Sequence, residues 1–152
     1  MTNKMEKNFI RVHSTKDIVI FSLLIIAGGI LAVIPRTDTL NLIGYCLIVV
    51  GAALALFLKS VYKDVDTKEL YVRKEFLFPK EMKVAILTAL FSNPNSIELS
   101  KNGESQALKL ELFYSNASGM AYLQLFEYIP YQYEMCSEIY EYEISKISKL
   151  LE

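Results

Sequence analysis

Ile18–Ile34 reads IVIFSLLIIAGGILAVI, and Leu40–Leu58 reads LNLIGYCLIVVGAALALFL. The two runs, of 17 and 19 residues, carry no Asp, Glu, Lys or Arg, and only Pro35–Thr39 separates them. Ser14-Thr15-Lys16-Asp17 precedes the first run and fits a capping box, in which the Ser14 hydroxyl and the Asp17 carboxylate satisfy early helix amides. A helix counted from Thr15 has about 20 residues and extends about 30 Å, enough to cross the hydrocarbon core of a bilayer. Pro35 stops it, and Asp38 or Thr39 caps the second helix. The spacing predicts an antiparallel transmembrane hairpin with spans of about 15–34 and 39–58.

A cleaved signal peptide would end its apolar region in a small-residue cleavage site, whereas Ala32-Val33-Ile34-Pro35 leads into another apolar run. Buried helices of a soluble protein usually keep a polar face, and neither run has one. Lysine and arginine in the flanks set the orientation. Lys4, Lys7, Arg11 and Lys16 precede the first span, Arg36 alone lies in the turn, and Lys59, Lys63, Lys68, Arg73 and Lys74 follow the second. Both termini are therefore expected in the cytoplasm, with the protein multi-pass in the cell (inner) membrane and residues 1–14 a basic cytoplasmic tail. In that compartment the Asn116-Ala117-Ser118 sequon is idle, and Cys46 and Cys136 form no disulfide.

Composition agrees with this division. The whole chain of 152 residues is 53% hydrophobic, with a formal charge of −1 and a mean hydropathy of +0.28, which excludes a disordered or wholly soluble chain. A near-neutral balance gives no footprint for nucleic acid. From Lys59 onward, eleven basic and fourteen acidic residues make an ordinary small-domain composition.

Within that tail, Leu70–Phe78 alternates and reads as a strand. Pro79 opens a helix carrying Met82, Ala85, Ile86, Ala89 and Leu90 at helical spacing. Ile97–Ser100 reads as a short strand, Asn102-Gly103 as a type I′ hairpin turn, and 107–114 and 121–129 as further strands. Ile139, Tyr140, Ile144, Ile147 and Leu151 suggest a closing helix over Met135–Leu151. The expected class is α+β with membrane helices. The hairpin (15–60) is followed by a small two-layer sandwich (61–152) of order β-α-β-β-β-α, with an antiparallel sheet. A pleckstrin-homology-like module needs more strands and no helix after Pro79.

Strand parity divides the sheet residues. Leu108, Leu110, Leu112, Leu123 and Leu125 share the face turned to the helices. The other face holds Phe113, Tyr122, Phe126 and Tyr128 among Lys109, Glu111 and Gln124. An aromatic stripe of this kind is either a protein-interaction face or a set of half-buried cross-strand pairs. Tyr128-Ile129-Pro130-Tyr131-Gln132-Tyr133 extends the stripe at the exit of the sheet. In the spans, Gly28 and Ala32, and Gly51 and Ala55, sit four apart and allow close helix packing, first of all within the hairpin.

Little chemistry is available for catalysis. His13 is the only histidine and lies before the first span, so Cys136 has no histidine partner in its own domain. Phosphate-loop and dinucleotide glycine patterns are absent, and Asp64-Val65-Asp66 is too sparse for a calcium loop. With one histidine and no cysteine pair, a structural zinc site is not expected, and no cofactor is. Spans without ionisable groups argue against a proton or ion path within the hairpin alone. The expected function is non-catalytic: a hairpin tethers an α+β interaction module to the inner membrane. Its partners are the bilayer and another membrane or cytoplasmic protein, or a second copy. The alternative is an accessory subunit of a transporter or other membrane complex, with the spans making the contacts.

Overall fold

Helix α1 (Thr15–Val33) starts on the capping box read from the sequence. The Ser14 amide donates to Asp17 Oδ2 (2.8 Å), and the Asp17 amide donates to Ser14 Oγ (3.1 Å). A computed structural model describes residues 7–34 and 38–152. The stop at Pro35, the turn charge of Arg36 and the tail charge of Lys4 lie outside the described residues. Helix α2 (Asp38–Phe57) is the second long apolar helix, and both are long and apolar enough to cross a membrane.

Contacts divide the chain into two units. The first, Arg11–Val61, holds α1 and α2. Asp17 Oδ2 also accepts from the Ser60 amide (3.0 Å) and hydroxyl (2.7 Å), and His13 Nδ1 donates to the Leu58 carbonyl (2.6 Å). These bonds join the chain entering α1 to the chain leaving α2. The helices meet through glycines. A Cβ on Gly28 would fall 2.7 Å from the Gly44 carbonyl oxygen, and one on Gly44 would fall 2.5 Å from the Ala32 nitrogen. A Cβ on Gly51 would lie 3.2 Å from the Ile25 nitrogen. Backbones this close leave no room for side chains, which is the close approach that small residues permit between apolar helices.

The second unit, the body, comprises Tyr62–Glu152 together with the segment ending at Ile10. Its strands are β1 (Phe9–Val12) and β2 (Val61–Asp64), each beginning or ending across the unit boundary, then β3 (Leu70–Phe78), β4 (Leu108–Ser115), β5 (Met120–Ile129), β6 (Gln132–Met135) and β7 (Tyr140–Glu143). The sheet order is β1-β2-β3-β4-β5-β6, and β7 also pairs with β5. All registered pairs are antiparallel. Helix α3 (Lys83–Ser92) and the short α4 (Ser148–Leu151) cover one face. The core lies there: Leu108, Leu110, Leu112, Leu123 and Leu125 are buried with Ile86, Leu90, Ile147 and Leu150. Two apolar helices followed by an antiparallel sheet with helices make this an α+β chain.

Three expectations are corrected. Ile97–Ser100 is not a strand: Pro94–Ser96 and Leu99–Lys101 form 3-10 turns, and Ile97 is buried as a core plug between them. Asn102-Gly103 does not make a type I′ hairpin. Asn102 keeps φ −65° and ψ 127°, and Gly103 alone is left-handed at +87°, as in a type II turn. This turn docks on the end of β3, where Asn102 Oδ1 accepts from the Leu77 amide and the Gly103 amide donates to the Leu77 carbonyl.

Met135–Leu151 is not one helix. Tyr140-Glu141-Tyr142-Glu143 has period two and pairs with the first half of β5, from Leu123↔Tyr140 to Met120↔Glu143. Edge pairing with a long strand prevails here over local helical spacing. The helical pattern survives only in the Ile144–Ile147 turn and α4, which bury Ile147 and Leu150 rather than Leu151.

Candidate functional site

The face of the sheet away from α3 carries Tyr71 and Arg73 from β3, Lys109, Glu111 and Phe113 from β4, and Tyr122, Gln124, Phe126 and Tyr128 from β5. The registers Arg73↔Phe113, Phe113↔Tyr122, Glu111↔Gln124 and Lys109↔Phe126 set these side chains beside one another. The four aromatic residues singled out from the sequence therefore do share a face.

Part of that face is occupied by the start of the chain. Phe9 stacks on Phe113, with ring centroids 4.2 Å apart and planes within 8°. It meets Tyr71 edge-on at 5.3 Å and lies 6.1 Å from Tyr122. Lys7 Nζ sits over the Tyr122 ring at 4.7 Å and bonds Asp64 Oδ2 at 2.7 Å. Tyr122 is left only 7% exposed. A ring stack, a cation over an aromatic face and a buried ion pair fasten this segment together. The sequence reading placed Lys7 in a basic cytoplasmic tail; in the folded chain Lys7 and Phe9 belong to the body.

Asp64 is fully buried, and its oxygens accept from Lys7, the Asp66 amide (3.0 Å) and the Thr67 hydroxyl (3.1 Å). Burial pushes its carboxyl up, but these hydrogen bonds prevail and hold it below the usual range. Burial opposes the charge of Lys7, and bonds to Asp64 and Tyr122 outweigh it, so its ammonium is held above the usual range. Tyr122 is pushed up, first by burial and then by the nearby Glu141.

A cavity of about 260 Å³ remains beside the segment, bounded by Lys7, Phe9, Glu111, Phe113, Tyr122 and Gln124. Its charges are mutually engaged: Glu111 Oε1 takes both Arg73 and Lys109 at 2.6 Å, and Arg73 Nη1 donates to the Tyr62 hydroxyl at 2.9 Å. Further along the stripe the cover ends. Phe126 is half-buried with Lys109 at 5.0 Å, and Tyr128 is 50% exposed, in edge contact with Tyr133.

Elsewhere the chemistry is sparse. Cys136 donates weakly to the Leu125 carbonyl, and burial raises its pKa, so the thiol stays protonated near neutral pH. Among the described residues no three His, Cys, Asp or Glu side chains gather to hold a metal ion. Of the small residues in the helices, Gly28, Ala32 and Gly51 lie at the α1–α2 contact, and Ala55 is half-buried. Gly44 completes that contact and was not singled out; its seven-residue spacing from Gly51 was the available signal. Phe9 had only the short apolar pair Phe9-Ile10 in a basic stretch to mark it. Compared with protein-family models, curated proteins and solved structures, the chain shows no match.

Proposed function

We propose that this is a non-catalytic, membrane-anchored protein whose helical hairpin tethers a small α+β body to the cytoplasmic face of the cell membrane. One observation carries the reading: the hairpin interrupts the body. Lys7–Ile10 precedes α1 and Tyr62–Glu152 follows α2, yet both belong to one compact unit, so the two outer ends of the hairpin return to one side. The helices' outward residues are apolar as well, Ile26 being 60% exposed, a surface suited to lipid rather than water. The excess of lysine and arginine in the flanks supports the cytoplasm as that common side.

The body is read as an interaction module for another membrane or cytoplasmic protein. Its free aromatic surface is the end of the stripe at Phe126 and Tyr128, since Phe9 covers Phe113 and Tyr122. An accessory role carried by the spans is the weaker reading, because Gly28 and Gly51 are already used in packing α1 on α2.

Cysteine labelling in intact cells tests the anchoring. With Cys46 and Cys136 replaced by Ser, Thr39→Cys is expected to react with a membrane-impermeant maleimide from outside, and Glu104→Cys only after lysis. Recovery of the protein in the soluble fraction, or labelling of both positions from the same side, refutes the reading. The interaction role is tested by Phe126→Ser with Tyr128→Ser, which should leave folding intact and release a partner that co-purifies in mild detergent.

A further inference from the structure

The segment from Lys7 meets the body in the manner of a peptide ligand. β1 is the outermost strand of the sheet, neighbouring β2 alone, and just beyond their ladder the Val65 amide donates to the Asn8 carbonyl at 3.0 Å. Two alternate side chains of the segment fill two sockets. The Lys7 ammonium meets the fully buried carboxylate of Asp64, and Phe9 lies among the rings of Tyr71, Phe113 and Tyr122. Backbone pairing to a sheet edge, with pockets for alternate side chains, is one of the ways in which extended peptides are recognised.

The resident segment leaves part of its slot unfilled. The cavity of about 260 Å³ adjoins Phe9, and its wall includes Glu111 and Gln124, which are cross-strand partners on β4 and β5. Glu111 is 9% exposed, so its carboxylate and the neighbouring Gln124 amide bring hydrogen-bond acceptors to a largely sheltered space.

We propose that the β2 edge and these two sockets form a peptide groove that Lys7–Val12 occupies as an internal inhibitor, and that the groove takes an extended segment of another protein carrying Lys-x-Trp. A tethered strand competes at an effective concentration of about the millimolar range, so an identical strand from a second copy has no advantage over it. A partner displaces it through contacts that Phe9 lacks. Tryptophan at that position keeps the stack on Phe113, extends a larger ring system into the cavity, and offers its indole N–H to the Glu111 and Gln124 oxygens. This goes beyond the interaction role given above to Phe126 and Tyr128: it concerns the covered part of the stripe, and its test leaves those two residues untouched.

The full-length chain, with a site-specific protease sequence inserted between Val12 and His13, is folded in detergent micelles and then cut, so that the body never has to fold without its segment. Fluorescein-labelled KNFIRV, the sequence of residues 7–12, is added and followed by anisotropy. The cut chain is expected to exchange its fragment for the peptide, and the uncut chain to bind at least about tenfold more weakly. Peptides with Lys7→Glu or Phe9→Ser should each lose at least about tenfold in affinity, and the Phe9→Trp peptide should gain several-fold. A cut fragment that never exchanges overturns the proposal, as does a body that unfolds on cutting and is not restored by KNFIRV; in both cases the segment is a fixed part of the fold. Equal binding to cut and uncut chains, or indifference to the Lys7 and Phe9 changes, overturns it by placing the peptide elsewhere. A Phe9→Trp peptide no tighter than KNFIRV overturns the assignment of the outside partner.

Discussion

Replacing Phe9 by Ala should weaken the body although residue 9 lies more than fifty positions from Tyr62, where the rest of the body begins. Removing a fully buried phenylalanine ring typically costs about 3–5 kcal/mol. Phe9 is half-buried, and its stack on Phe113 adds about 0.5–1.5 kcal/mol beyond burial. The expected loss is therefore about 2–3 kcal/mol, a substantial part of the roughly 5–15 kcal/mol that stabilises a domain. Neighbouring Ile10 is half-exposed, and Ile10→Ala should cost under about 1 kcal/mol by the same scaling. Urea titration of the full chain in detergent micelles, followed by near-ultraviolet dichroism of the tyrosines, measures both. A Phe9→Ala loss no larger than that of Ile10→Ala refutes the reasoning, because the segment would then contribute nothing to the body. A double-mutant cycle with Phe113→Ala should return a coupling of about 1 kcal/mol.

Gly28→Leu should separate α1 from α2, since its Cβ would meet the Gly44 carbonyl, whereas Gly29→Leu should be tolerated because nothing lies within 4 Å of it; a cysteine-crosslinking comparison across the hairpin distinguishes them. Tyr131→Asn should stabilise the body by about 1 kcal/mol by relieving the left-handed strain at φ +79°, measured by the same urea titration. Asp64 titrates lower in the folded chain than in the unfolded chain, so its contribution is complete above the unfolded value of about 4 and is lost as pH falls through the lower folded value. Asp64→Asn should flatten that acid limb of the stability profile, and an unchanged limb refutes the assignment. Lys7 has the opposite sign: its raised pKa gives a contribution lost only as pH rises beyond about 10.

Where the signal was local, the chain was legible. The absence of charge over 17 and 19 residues, with a capping box in front, defined both long helices to within a residue at their starts. Leu70–Phe78 matched its strand end to end because alternation and β-branched or aromatic residues coincide there. The leucine parity on β4 and β5 predicted which face is buried. What escaped had partners far away in sequence. Phe9–Val12 is too short to be recognised as a strand without the residues it meets, which come from β2 and from 71, 113 and 122. The pattern after Met135 fits two periods at once, and only the open edge of β5 decides between them. The aromatic stripe was read correctly as a face, but its cover could not be seen, because Phe9 is one ring in a basic stretch whose charges already had a topological explanation.

The interrupted body also bears on how the protein is made. On the proposed membrane reading, Phe9 leaves the ribosome about a hundred residues before Phe113, with two apolar helices to be inserted between them. If only one helix crossed, Phe9 and Lys7 would be stranded on the opposite side of the bilayer from Phe113, Tyr122 and Asp64, and the aromatic face would stay open. On that reading a closed body rules out a chain in which only one of the two helices has crossed. A chain with one helix across would leave the Tyr71 and Tyr122 rings without Phe9 and Asp64 without the Lys7 ammonium.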